Sequence, residues 1–171
     1  MGQDKGLLEK DGVPWARLMA DKLTSRHLPV VFSVNASQTD AYELALPDAR
    51  LVVDSLAVDG PLKGLLSVHE QFPDKDLLLL ACDMIDMDAA TIGILIEAYL
   101  AGGPYTFYAY REQDFFQPFC AIYTSAGLAA PHTAALEGNL QIPSLQQLLR
   151  QGKTKSIVIN NDEAFRNYNL K

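Results

Sequence analysis

Leu77-Leu78-Leu79-Leu80-Ala81-Cys82-Asp83 is an unbroken apolar run closed at once by a carboxylate. A strand with one wet face alternates apolar and polar residues, whereas a strand without alternation is expected where both faces are covered, as at the centre of a parallel sheet. Asp83 then falls at the C-terminal rim of that sheet, where open α/β sheets receive ligands.

The flanking sequence extends this reading in both directions. Upstream, the Asp11-Gly12 turn, Pro14, and Trp15, Leu18, Met19 and Leu23 at helical spacing predict a helix over 13–24 with one buried face. Pro29 to Val34 and Arg50 to Val53 read as strands that exit at Asn35 and Asp54, on the rim that receives Asp83. Gly60-Pro61 opens a second helix with Leu62, Leu65, Leu66, His69 and Phe72 on one face. Downstream, Asp88 caps a helix over 88–101 that ends at Gly102-Gly103. Tyr105 to Tyr110 and Phe116 to Thr124 are aromatic-rich strands around Arg111-Glu112-Gln113-Asp114, expected as a hairpin beside the parallel sheet. Helices over 125–136 and 144–151, the second capped by Ser144, and a strand over 156–159 complete the pattern. Alternating elements with no linker predict one α/β domain with a doubly wound, mostly parallel, Rossmann-like sheet.

Composition narrows the function. In 171 residues, 49% are hydrophobic and 20% charged, and no apolar run approaches the ~20 residues of a membrane helix. The formal net charge of −7 argues against nucleic acid and anionic membrane surfaces, though a local cation or a bridging metal still admits a phosphorylated substrate. The N-terminus shows no signal-peptide pattern, so the expected location is the cytoplasm. Cys82 and Cys120 sit in apolar strands and read as inert buried thiols. His69 reads as a packed histidine without a nearby Cys or His partner, and His27, His69 and His132 form no zinc pattern.

Three residues stand out as candidates for chemistry: Lys5 before a turn and helix, Asp54 after one strand, and Asp83 after the most apolar strand. An ammonium is a compact charge suited to phosphate, and a rim aspartate is a hard oxygen ligand suited to Mg²⁺. Each is weak singly, because an aspartate at a strand exit is most often a turn residue or a cap.

Their order along the chain is more specific. Met1-Gly2-Gln3-Asp4-Lys5, Val34-Asn35-Ala36, Asp54-Ser55 running to Gly60-Pro61-Leu62-Lys63-Gly64-Leu65, Ala81-Cys82-Asp83-Met84 and Phe165-Arg166-Asn167-Tyr168-Asn169 follow one another. This succession resembles the molybdenum cofactor guanylyltransferases of the nucleotidyltransferase superfamily. The resemblance implies GMP transfer from GTP to the phosphate of molybdopterin, with release of pyrophosphate and with Mg²⁺ as cofactor. By position, Lys5 contacts the GTP phosphates, Asn35 and Asp54 the base and ribose region, and Asp83 holds Mg²⁺; Lys5 and Asp83 are the catalytic pair. Residues 1–103 would form the nucleotide- and metal-binding half, and 104–171, with Gln117-Pro118, the half that takes the molybdenum cofactor. Other cofactor-biosynthesis proteins and recipient molybdoenzymes are the implied partners. A cytidylyl- or sugar-nucleotidyltransferase of the same fold, or a catalytically silent nucleotide- or partner-binding domain, are the alternatives.

The departures from that pattern carry expectations too. Ile85-Asp86-Met87-Asp88 follows the Cys-Asp-Met where the family often has proline, so Asp86 is either a second carboxylate toward the metal or, more simply, a solvated turn residue before the Asp88 cap. The chain opens partway through the nucleotide-binding signature, without its glycine-rich loop and the strand before it, and stops at Leu170-Lys171 before a closing helix. Five apolar strand residues represent ~10 kcal/mol of burial. That is comparable with a net domain stability of ~5–15 kcal/mol. The expectation is a chain truncated at its N-terminus, poorly stable and barely active by itself.

Overall fold

The strands at the heart of the molecule follow two different rules. In the computed structural model, which describes residues 4–142, 144–166 and 168, a parallel pair stands beside a mixed four-stranded sheet. A 3-10 turn at Lys5–Leu7 leads into a short antiparallel pair, β1 (Glu9–Lys10) and β2 (Val13–Pro14), around the Asp11-Gly12 turn. Helix α1 (Trp15–Thr24) follows, with Pro14 as its N-cap rather than its first helical residue. β3 (Phe32–Val34), α2 (Thr39–Ala45) and β4 (Leu51–Val53) come next, with β3 and β4 paired in parallel, Phe32 against Leu51 and Val34 against Val53. α2 has no counterpart in the sequence pattern, because of its seven residues only Tyr42 is buried and no stripe forms.

α3 (Pro61–Gln71), β5 (Leu77–Leu80), α4 (Ala89–Leu100), β6 (Phe107–Glu112), β7 (Phe115–Tyr123), α5 (Ser125–Leu136), α6 (Leu145–Gln151) and β8 (Thr154–Val158) build the rest. Their order in the sheet is β5-β7-β6-β8. β7 runs antiparallel to both β5 and β6, while β6 and β8 are parallel, so β5, β6 and β8 point one way and β7 alone opposes them. The hairpin expected beside the parallel strands is therefore inserted among them.

β5 itself is half as predicted. Its leucines alternate between two cores: Leu77 and Leu79 pack with α3, α5 and α6 residues such as Leu66, Leu128 and Leu148. Leu78 and Leu80 pack with Met19 of α1 and Ile92 and Leu95 of α4. Both faces are covered, which is why the run has no polar alternation. The strand is not central, however: among the described residues its one ladder partner is the antiparallel β7, and all four leucines keep partial exposure. An apolar run reports what lies above and below a strand, and not which way its neighbour points. β6 uses the same two cores, Phe107 and Ala109 on one side and Tyr108 and Tyr110 on the other. Each such large buried side chain contributes roughly 1.5–3 kcal/mol of apolar burial.

Met1 to Gln3 of the opening motif, and Asn167, Asn169, Leu170 and Lys171 at the other end, lie outside the described residues. Among the described residues no helix is long and apolar enough to cross a membrane.

Candidate active site

The turn that carries Lys5 is fastened by its neighbour Asp4. One Asp4 oxygen accepts the Gly6 N–H at 2.9 Å and the Tyr42 hydroxyl at 3.3 Å, and the other accepts Gln38 Nε2 at 2.5 Å. The 3-10 turn is thus held against α2, and Gly6 sits so near Tyr42 that a Cβ there would lie 2.0 Å from its hydroxyl oxygen. Burial, and then the Asp4 carboxylate, raise the Tyr42 phenol well above its ordinary range, so it stays a neutral donor. Trp15 N–H donates to the Leu8 carbonyl at 2.7 Å and joins the turn to the start of α1.

Fixed in this way, Lys5 reaches the end of β5. Its Nζ lies 2.8 Å from Asp83 Oδ2, with the two side chains 34% and 17% exposed, a partly sheltered ion pair open to solvent on one side. The Asp83 turn is braced from several directions. Ala81 N–H donates to Phe119 O at 3.0 Å, Met87 N–H to Met84 O at 2.9 Å and Lys22 Nζ to Ile85 O at 2.7 Å, and Met84 and Met87 are both 1% exposed. Asp86 points elsewhere, accepting the Tyr168 hydroxyl at 2.5 Å. Asp88 caps α4, its Oδ1 accepting the Thr91 N–H at 2.7 Å.

Asn35 and Asp54 stand at the ends of β3 and β4. Asn35 Oδ1 accepts the Ser37 N–H at 3.0 Å and the Ser37 hydroxyl at 2.6 Å, and its own N–H donates to Gln38 Oε1 at 2.8 Å. Since Gln38 also donates to Asp4, a continuous set of hydrogen bonds runs from Asn35 to the Lys5 turn. Asp54 Oδ1 accepts the Ser33 hydroxyl at 3.2 Å. Partial burial raises its carboxyl above the ordinary value, against the opposing pull of Ser33 and Lys63. Gly64 of α3 makes room for both groups: a Cβ there would lie 2.4 Å from Ser33 Oγ and 3.4 Å from Asp54 Oδ1.

Lys5 and Asp83 therefore meet directly, Asn35 is tied to them through Gln38 and Asp4, and Asp54 heads a separate cluster with Ser33 and Gly64. Asp4, Gln38 and Tyr42 were missed by sequence reading, since their partners lie 34 and 38 residues away. The thiol of Cys82 next to Asp83 is held in its neutral form: burial, then Asp83 and Asp4, push it up to about 11, and burial pushes Cys120 up to about 12. One histidine expectation needs correcting. His69 is packed, at 3% exposure, but it has a histidine partner: His132 of α5 meets it edge to face with ring centroids 5.3 Å apart. Among the described residues no group of three or more His, Cys, Asp or Glu is arranged to hold a metal by itself.

Solved structures share the architecture. The molybdopterin-guanine dinucleotide biosynthesis protein A of Archaeoglobus fulgidus superposes with a TM-score of 0.71 at 17% identity, covering 92% of this chain and 76% of that one. A protein of Aquifex aeolicus gives 0.67 at 13% identity, covering 92% and 80%. In sequence, the chain is 27% identical over 128 residues to a molybdenum cofactor biosynthesis bifunctional protein of Synechocystis sp., covering 75% of this chain and 36% of that protein. It is 26% identical over 156 residues to a molybdenum cofactor guanylyltransferase of Serratia proteamaculans, covering 90% of this chain and 68% of that protein. The chain thus spans about a third of the first relative and about two thirds of the second. The family model described as the MobA-like NTP transferase domain matches residues 1–157, a span that includes the Lys5 turn and ends within β8. With the fold, the ordered motifs and this match over most of its length, the chain belongs to the MobA-like NTP transferase family.

Proposed function

We propose that this chain transfers GMP from GTP to the phosphate of a molybdopterin-type cofactor and releases pyrophosphate, in a cytoplasmic setting. The observation that carries the reading is the Lys5–Asp83 pair, an ammonium and a carboxylate brought together at the C-terminal end of β5 from 78 residues apart. Such a pair complements a magnesium–triphosphate, whose anionic oxygens suit the ammonium and whose metal suits the carboxylate. The donor set fits Mg²⁺ in this role, because Mg²⁺ bound with a nucleotide commonly takes only one or two carboxylates, with phosphate oxygens and waters filling the other positions. When bound there, Mg²⁺ would withdraw charge from the phosphate oxygens around the reacting phosphorus.

The residues of the chain then divide the work. Lys5 exchanges its carboxylate partner for phosphate oxygens and offsets the charge that builds on the departing pyrophosphate. Asp83 anchors the metal side of the triphosphate. Asn35 and Asp54, at the ends of β3 and β4, orient the base and ribose, and Asp4, Gln38 and Tyr42 keep the Lys5 turn in place. Residues 104–171, including Gln117-Pro118, take the molybdopterin. No covalent protein intermediate is required, since the acceptor phosphate attacks the α-phosphorus and pyrophosphate leaves opposite; neighbouring Cys82 is a neutral thiol.

The support from relatives is directional: the Serratia protein is named a guanylyltransferase and the Archaeoglobus one a molybdopterin-guanine dinucleotide protein. Incubating the protein with Mg²⁺, molybdopterin and either GTP or CTP tests the proposal. Pyrophosphate release with GMP incorporation is expected; CMP incorporation alone would move the chain to the cytidylyl reaction, and no transfer with either nucleotide would refute the reading.

A further inference from the structure

Tyr168 touches the Asp83 turn and also Trp15, whose backbone is bonded to the end of the Lys5 turn. Its backbone N–H donates to the Asp83 carbonyl at 3.4 Å, and its hydroxyl donates to Asp86 Oδ2 at 2.5 Å, so it spans the two ends of the Asp83–Asp86 turn. Its ring meets Trp15 edge to face, with centroids 6.1 Å apart. Trp15 begins α1 and closes the Lys5 turn through its N–H to the Leu8 carbonyl. Tyr168, through its backbone and its side chain, therefore links the turn that presents the carboxylate to Trp15, which is bonded to the segment that presents the ammonium. Trp15 is 8% exposed and its indole Nε1 has no hydrogen-bond partner. The contact with Tyr168 is thus one of shape, made by the ring edge.

We infer that Tyr168 is a positioning residue for nucleotide and metal, a clasp that keeps the Asp83 turn and the Lys5 turn at a fixed separation and holds Asp86 away from Asp83. The inference rests on the proposed nucleotidyl-transfer reading. A turn of four residues carrying a single useful carboxylate loses affinity if it must be ordered on binding, since ordering entropy is then subtracted from every complex formed. The clasp removes that cost beforehand. It also commits Asp86 to a hydrogen bond with the Tyr168 hydroxyl, which fixes the far end of the turn that carries Asp83. The hydroxyl and the ring have separable roles: the first fixes the Asp86 end of the turn, the second fixes the turn against Trp15.

The protein contains one tryptophan, which makes the clasp visible without any ligand. In Tyr168→Ala the Trp15 emission is expected to shift to the red and become more accessible to acrylamide, while Tyr168→Phe keeps the wild-type spectrum. Binding is read with Mn²⁺ as the probe, by electron paramagnetic resonance in the presence of GTP. Loss of one hydrogen bond to a charged acceptor predicts a Kd for Mn²⁺ raised roughly threefold to tenfold in Tyr168→Phe. A larger rise is expected in Tyr168→Ala. Asp86→Ala should raise the Kd as much as Tyr168→Phe, and the double variant should be no worse than either single one, because both remove the same bond. Melting temperatures should change little, since Tyr168 is 38% exposed. Wild-type Kd values in all variants, or a lowered melting temperature with unchanged Kd, would overturn the clasp. A wild-type protein that binds no Mn²⁺ with GTP would instead remove the nucleotidyltransferase reading, and the clasp with it.

Discussion

Lys5 Nζ donates to Asp83 Oδ2 across 2.8 Å, so that in the free protein the cation of the site neutralises its own carboxylate. Both side chains keep access to solvent, at 34% and 17% exposure, and such a pair contributes at most about 1 kcal/mol to stability. Its value lies in exchange. In the proposed reaction a magnesium–triphosphate would offer a partner of opposite sign to each group, and neither would be left buried and unpaired when the pair opens.

Asp83→Asn should accordingly spare the fold and abolish chemistry. The amide still accepts a hydrogen bond from Lys5 but carries no charge for a cation. Mg²⁺-dependent turnover is expected to fall by at least ~10²-fold, with thermal unfolding close to wild type. Steady-state pyrophosphate release beside a melting curve makes the comparison, and retained turnover would exclude Asp83 as the metal ligand.

Lys5→Ala separates phosphate from base. In the proposed reaction the ammonium meets phosphate oxygens and not base edges, so GTP and CTP should lose affinity by similar factors and the preference between them should stay the same. Titration calorimetry with both nucleotides reads this directly; a change in base preference would place Lys5 nearer the base than proposed.

Gly6→Ala tests how the Lys5 turn is held. A Cβ at residue 6 would lie 2.0 Å from the Tyr42 hydroxyl and 3.1 Å from its Cζ, and the Asp4 carboxylate is 3.4 Å away. Tyr42 is 6% exposed and has little room to move, so the turn must shift instead, at a cost of about 1–3 kcal/mol. A lowered melting temperature together with weaker GTP binding is expected. Tyr42→Phe, which loses only the bond to Asp4, should show a smaller drop in both.

The sequence exposed the parts of this site that depend on local chemistry and hid those that depend on contact at a distance. Leu77 to Leu80 announced two covered faces, and Asp83 could be put at the rim from its position after them. Asp88, Ser144 and Gly60-Pro61 marked helix starts because caps are written within three residues of the helix they serve. The place of β7 between β5 and β6 was not readable, since alternation assigns faces and not neighbours. α2 stayed hidden because one buried residue, Tyr42, makes no stripe. The same Tyr42 reaches the site through Asp4 and Gly6, on the far side of three strands and a helix in sequence.

The burial of His69 against His132 predicts a pH dependence of stability at the contact between α3 and α5. Burial, and then His132, lower the His69 pKa, and His132 Nε2 lies 3.8 Å from Glu70 Oε1. A histidine whose folded pKa is depressed takes up a proton more readily when unfolded. Stability from this residue is therefore fully present above the ordinary value of about 6.5 and declines as pH falls below it toward the folded pKa. The melting temperature should fall between about pH 7 and pH 5, and His69→Phe should flatten that slope. An equally steep slope in the variant would assign it to other groups.

Asp54 reverses this sign. Burial raises its carboxyl above the ordinary value near 3.9, so the folded protein holds this proton more tightly than the unfolded chain does. The stabilisation is fully present below that ordinary value and is lost as pH rises through the raised pKa, which leaves an ionised, partly desolvated group at neutral pH. Asp54→Asn keeps an oxygen to accept the Ser33 hydroxyl and removes the charge. Its melting temperature should exceed that of the wild type near pH 7, and the difference should vanish toward pH 3. A carboxylate that costs stability at working pH is a reason to look for a ligand that uses it. If Asp54 receives ribose or base hydrogen bonds, the more stable Asp54→Asn protein should bind GTP several-fold more weakly. If it is more stable and binds GTP as before, Asp54 has no part in the nucleotide site, and the burial of its carboxylate serves only to seat Ser33 against Gly64.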